Sequence, residues 1–153
     1  MAIETELTTS EINEKQQLLQ NESFAQEAFT TLKQYDGKLD ETFDKLWTEV
    51  NGLQSFGPQK SLWEVTLKVI RQELCGNEGF RGKLSEYIKK PPDAALLTAL
   101  IISVVQLTTL PINPAIATII VLHILKIGIG IFCEYTEPVA NADPIAAKQG
   151  KTP

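Results

Sequence analysis

Apolar residues follow two different patterns along this chain. Up to Asp93 they recur at helical spacing among charged positions, and from Ala94 to Cys133 they run nearly unbroken. In the first region, Thr8 and Glu11 have the spacing of a capping box, the hydroxyl-to-carboxylate pair that satisfies free amides at a helix start. Beyond it, Phe24, Ala28, Phe29 and Leu32 define one apolar helix face, and Asp36-Gly37 breaks the pattern. Leu39, Phe43, Leu46, Trp47 and Val50 define a second face, closed by Asn51-Gly52, where glycine accepts the left-handed stop conformation.

Phe56-Gly57-Pro58 reads as a loop. A second capping box, Ser61 to Glu64, opens a helix running to about Leu74. That helix carries two apolar rows, Leu62-Val65-Val69 and Trp63-Leu67-Ile70-Leu74, as expected of a helix sandwiched between neighbours. A turn at Gly76–Gly79 precedes a short helix bearing Phe80, Leu84, Tyr87 and Ile88. The region ends at Pro91 and Pro92, which cannot donate backbone hydrogen bonds and disfavour helix in the residue before them.

The apolar block consists of two segments, 94–110 and 115–132, joined by a turn containing Pro111, Asn113 and Pro114. Isoleucine and valine are abundant, which suits strands in water, but a strand of seventeen residues would be about three times the usual length. Helices are therefore expected. Each would be about 26 Å long, slightly under the roughly 30 Å hydrocarbon core but within the range accepted for a spanning helix. The fold class expected is all-α: about four amphipathic helices followed by a long apolar helical hairpin. The expected organisation is a disordered stretch at 1–9, an amphipathic helical domain at 10–90, the hairpin at 94–133, transmembrane or buried, and a flexible tail at 136–153.

Polar positions within the block are few. On a helical wheel Thr98, Ser103, Gln106 and Thr109 share one arc, and Thr118, His123, Lys126 and Gly130 share another. Ser103, Gln106, His123 and Lys126 form the candidate polar stripe of the hairpin, with Ser103 level with His123 across the turn. Ala95, Ala99 and Gly130 are the candidate small residues for close helix packing. Lys126, the one charge between Ala94 and Cys133, is off-centre enough for its stem to carry the ammonium to an interface. Pairing with a carboxylate of the amphipathic region is the alternative.

Charge and composition narrow the function classes. About 27 charged residues lie before Ala94, and the whole chain has a formal net charge of −5. An acidic chain without a basic stripe is a poor fit to nucleic acid. No basic segment leading into an apolar stretch opens the chain, so a cleaved secretory signal is not expected. Cys75 and Cys133 show neither metal-ligand nor redox-pair spacing, and read as ordinary helix-end cysteines of a reducing environment.

The same survey yields no catalytic constellation, no cofactor and no metal site. His123 is the only histidine and has no cysteine or histidine cluster beside it in sequence. Asp36, Asp40, Glu41 and Asp44 lack calcium-loop spacing and read as a solvated face. No phosphate-binding glycine loop or nucleophile elbow is found.

Two functions compete. The first is a non-enzymatic membrane-inserting or membrane-anchored helical protein, of the pore-forming or effector kind, with both termini on the cytoplasmic side of the cytoplasmic membrane. Lys89 and Lys90 before the block, and the uncharged turn within it, support that orientation. The second is a soluble cytoplasmic all-α interaction module with the hairpin at the centre of a bundle. Partners through the hairpin are a lipid bilayer or another protein, with a homo-oligomer as one form.

Overall fold

Hydrogen bonds at the helix ends set the element boundaries. The computed structural model describes residues 6–52, 62–89 and 93–134. The expected loop at Phe56–Pro58, the Ser61 end of the second capping box, the Pro91-Pro92 break and the tail from Thr136 lie outside the described residues. All eight described helices are α-helices, and no strand occurs among the described residues; one isolated bridge joins Glu6 and Lys38.

Helix α1 (Thr9–Leu18) begins with the expected capping box. The Thr8 hydroxyl accepts from the Glu11 amide at 3.1 Å, and the Glu11 carboxylate accepts from the Thr8 amide at 2.8 Å. A separate helix, α2 (Ser23–Gln34), follows a turn at Leu19–Glu22, giving five helices before the apolar block where the sequence pattern predicts about four. The Gln26 side chain donates to the Leu19 carbonyl and holds that corner. Leu7, buried, donates its amide to the Gly37 carbonyl, so the chain before α1 packs on the turn after α2.

Helix α3 (Leu39–Asn51) buries Leu39, Phe43, Leu46 and Trp47, and stops at Gly52 with φ +79°. In α4 (Leu62–Leu74) the Trp63-Leu67-Ile70-Leu74 row is buried, while Val65 and Val69 are half-buried. Helix α5 (Glu78–Lys89) buries Phe80, Leu84 and Tyr87 and leaves Ile88 exposed.

The apolar block holds the longest buried run. Helix α6 (Ala94–Leu107) is capped by the Asp93 carboxylate on the Leu96 amide. Helix α7 (Pro114–Ile127) starts with Pro114 at its first position, where a missing N–H costs nothing, and with Asn113 capping the Ile116 amide at 2.9 Å. Every residue from Ala115 to Ile124 is buried. Helices α2, α3, α6 and the short α8 (Ile129–Glu134) all pack on α7. A helix apolar all round is stable in water only with such a coat, and each large aliphatic side chain so buried contributes about 1.5–3 kcal/mol.

These dimensions overturn the expected membrane insertion, and with it the transmembrane, pore-forming and cytoplasmic-membrane readings. No helix among the described residues is long and apolar enough to cross a membrane. The physical reason lies in the breaks. Helix α6 ends at Leu107, before the turn, and the second segment splits at Gly128, whose φ of +90° interrupts the helix. Fourteen residues apiece give α6 and α7 lengths of about 21 Å, against a core of roughly 30 Å.

The cysteines are a second correction. Cys75, just past the end of α4, and Cys133, in α8, form a disulfide with a Cα–Cα separation of 5.7 Å. Fifty-eight positions of sequence conceal this pairing. It removes the argument for a reducing environment that rested on unpaired thiols.

Candidate functional site

The polar positions of the apolar block do not gather into one stripe. His123 faces inward with 2 % of its surface exposed, and its ring sits edge-on between Trp63 (centroids 5.0 Å apart) and Phe132 (6.2 Å). Its Nδ1 has no hydrogen-bond partner among the described residues. Burial, and next the positive charge of Arg71, lower its pKa to about 4, so the ring is neutral at physiological pH. Ser103 is buried on α6, but no hydrogen bond joins it to His123. Gln106 is exposed, and Thr118 donates to the Pro114 carbonyl of its own helix.

Lys126 meets an acidic side chain from the other end of the molecule. Its Nζ stands 2.9 Å from each carboxylate oxygen of Glu11, the residue that completes the α1 capping box. The Glu11 pKa is lowered, first by the hydrogen bond from Lys126 and then by that from the Thr8 amide, with burial opposing. The lysine is thus held by a carboxylate of the amphipathic region, and the lipid-interface placement has no spanning helix to serve.

A second carboxylate organises the turn of the hairpin. Burial raises the pKa of Glu73, on α4, but its hydrogen bonds outweigh this and the net shift is downward. Its oxygens accept from the Thr108 hydroxyl (2.6 Å), the Thr109 amide (3.0 Å) and the Thr109 hydroxyl (2.8 Å). Beyond them, the Pro111 carbonyl accepts from the Asn51 side chain at 3.2 Å. The turn is therefore tied to α4 through Thr108 and Thr109 and to α3 through Pro111, while Asn113 and Pro114 bond within α7.

The small residues divide. Ala95 is exposed and Ala99 half-buried on the side of α6 away from the core. Gly130 is exposed on α8, with open space where a Cβ would stand. Ala95, Ala99, Ile102 and Gln106 recur at i, i+4, i+7 and i+11, so they form one stripe of the helix. The stripe carries no charge and lies opposite the buried Leu97, Leu100, Ile101 and Val104.

No family model, no curated protein and no solved structure matches this chain. Among the described residues no group of three or more His, Cys, Asp or Glu side chains could hold a metal ion. A shallow cleft of about 330 Å³ opens between the α1–α2 corner and the start of α6, lined by Leu18, Leu19, Asn21, Glu22, Ala95 and Thr98 among others. Among the described residues of that lining Glu22 is the only ionisable group, and these residues offer neither an acid–base pair nor an anion cradle.

Two features escaped sequence reasoning. The Cys75–Cys133 disulfide is flanked by Arg81, whose Nη1 lies 3.2 Å from Cys133 Sγ and 3.1 Å from the Cys75 carbonyl oxygen. Arg71 secures the same helix from the other side. Its Nε donates to the Phe132 carbonyl at 3.0 Å, and its guanidinium stands 5.6 Å from the Phe132 ring centroid.

Proposed function

We propose that this chain is a non-enzymatic helical interaction module, in which the apolar hairpin is the structural centre and the outer stripe of α6 is the docking face. The five amphipathic helices and α8 form the coat of the hairpin. The observation that carries this reading is the unbroken burial of Ala115 to Ile124 under α2, α3, α6 and α8. With α7 enclosed by its own chain, α6 is the part of the hairpin left to meet a partner.

The partner fitting that face best is a second copy of this chain. Its formal net charge of −5 makes copies repel one another. The uncharged Ala95-Ala99-Ile102-Gln106 stripe is a surface on which two copies could approach with little local repulsion, and its alanines permit close backbone contact. Sedimentation velocity over a range of concentrations tests this. A concentration-dependent dimer that Ala99→Glu converts to monomer, with the melting temperature unchanged, is the expected result. A monomer at every concentration overturns the self-association reading.

A further inference from the structure

We propose that Cys75–Cys133 is an exchangeable disulfide, opened by a dithiol reductant through attack at Cys75 Sγ, and that its opening releases α8 from the core. This goes beyond the interaction reading and does not depend on the face of α6.

Helix α8 is only six residues long, and a helix that short does not persist in water by itself. It follows Gly128, where a φ of +90° breaks the helical path with open space around the glycine. Its attachments are the buried Phe132, the partly buried Ile129, the Arg71 hydrogen bond to the Phe132 carbonyl, the Arg81 hydrogen bond to Cys133 Sγ, and the disulfide. Only the disulfide is covalent, and it ties the last turn of α8 to the end of α4.

The surroundings of the disulfide favour exchange in one direction. Both cysteines are half-buried, so the sulfurs are not sealed in the core. The Arg81 guanidinium beside Cys133 Sγ stabilises negative charge on that sulfur. Attack on a disulfide expels the sulfur that better carries negative charge. A thiolate of the reductant therefore bonds to Cys75 Sγ, and the electron pair of the broken S–S bond leaves on Cys133 as thiolate. The second thiol of the reductant then attacks its own sulfur in the mixed disulfide and releases Cys75. The dithiol ends as a disulfide, its two protons pass to the two cysteines, and the protein gains two electrons.

With the bond open, no covalent link joins α8 to α4, and side-chain packing and hydrogen bonds alone hold α8 to the core. Phe132 forms one wall of the His123 pocket, so lifting α8 bares an apolar surface and the imidazole together.

The test is the oxidised full-length protein treated with dithiothreitol. Reduction kinetics are followed by thiol titration, and backbone amide exchange across 129–134 is measured before and after. Reduction should raise amide exchange in α8 by about tenfold or more, with α7 little changed. Cys133→Ser should show the raised rate without reductant. Arg81→Gln should slow reduction about threefold or more, since the leaving sulfur loses its cation. Equal α8 exchange in the two redox states, or reduction of Arg81→Gln as fast as the parent, overturns the proposal. So does a protein that holds two free thiols even after incubation with oxidised glutathione.

Discussion

Lys126 and Glu11, 115 positions apart in sequence, form a two-pronged ion pair between the end of α7 and the first turn of α1. The single charge of the apolar block and the capping carboxylate of the first helix are thus one structural unit. Glu11 serves twice, because the carboxylate that closes the capping box also receives the lysine.

The pair predicts a measurable coupling. Glu11→Gln keeps a capping-box acceptor while removing the charge, and Lys126→Met removes the ammonium while keeping most of the stem. The Lys126 side chain is 15 % exposed and that of Glu11 38 %, so water screens the pair in part. A double-mutant cycle by urea denaturation should give a coupling of about 1 kcal/mol. The lowered Glu11 pKa sets the sign of the pH effect: the contribution is present above the ordinary carboxylate value of 4.5 and is lost as pH falls below it.

His123 predicts a separate pH dependence. The unfolded chain takes up a proton near pH 6.5, whereas the buried ring does so only at about 4. Between those values the unfolded state binds more protons, so stability falls as pH is lowered from 6.5 to 4, by about 3 kcal/mol in total. His123→Leu should remove this part of the pH dependence while leaving the carboxylate part below it. Chemical denaturation of both proteins at pH 7.5, 5.5 and 4.2 checks the difference.

Glu73 predicts how firmly the turn of the hairpin is held. Glu73→Ala removes three hydrogen bonds to Thr108 and Thr109, in a partly solvated setting where water replaces some of what is lost. A destabilisation of about 1–2 kcal/mol is expected, together with faster amide exchange at Thr109. Thermal melts and exchange spectra give both quantities.

Gly37 and Gly128 predict contrasting costs. Each has a positive φ, but a Cβ on Gly37 would overlap the Leu7 carbonyl oxygen, whereas one on Gly128 meets open space. Gly128→Ala should cost about 1–3 kcal/mol from backbone conformation alone, since φ +90° with ψ 146° is a conformation essentially confined to glycine. Gly37→Ala should cost more, about 3 kcal/mol, because the Leu7 backbone must also shift. Paired thermal melts decide the ranking.

Much of the helical layout was legible because its signals are local. Thr8 with Glu11, Asn51-Gly52, and Asn113 with Pro114 mark helix ends through contacts within four residues. The Leu39-Phe43-Leu46-Trp47 face was legible for the same reason. The break at Leu19–Glu22 was not, since a distant glutamine, Gln26, stabilises it, and Gly128 was passed over inside an apolar run. That second omission made a fourteen-residue helix look like a spanning one. The disulfide, the Lys126–Glu11 pair and the aromatic walls around His123 join residues 58, 115 and 60 positions apart, distances over which no periodicity reports. The choice between lipid and protein around α7 was left open by the sequence, because a helix apolar on every side suits either surround.

The most direct test of the central claim, that this chain's own helices enclose α7, is hydrogen–deuterium exchange of the purified protein in detergent-free buffer. Amides from Ile116 to Ile124 should be the most protected in the chain, exchanging only through global unfolding and remaining so when detergent micelles are added. Rapid exchange of those amides in buffer, with protection appearing only on addition of micelles, would contradict the account.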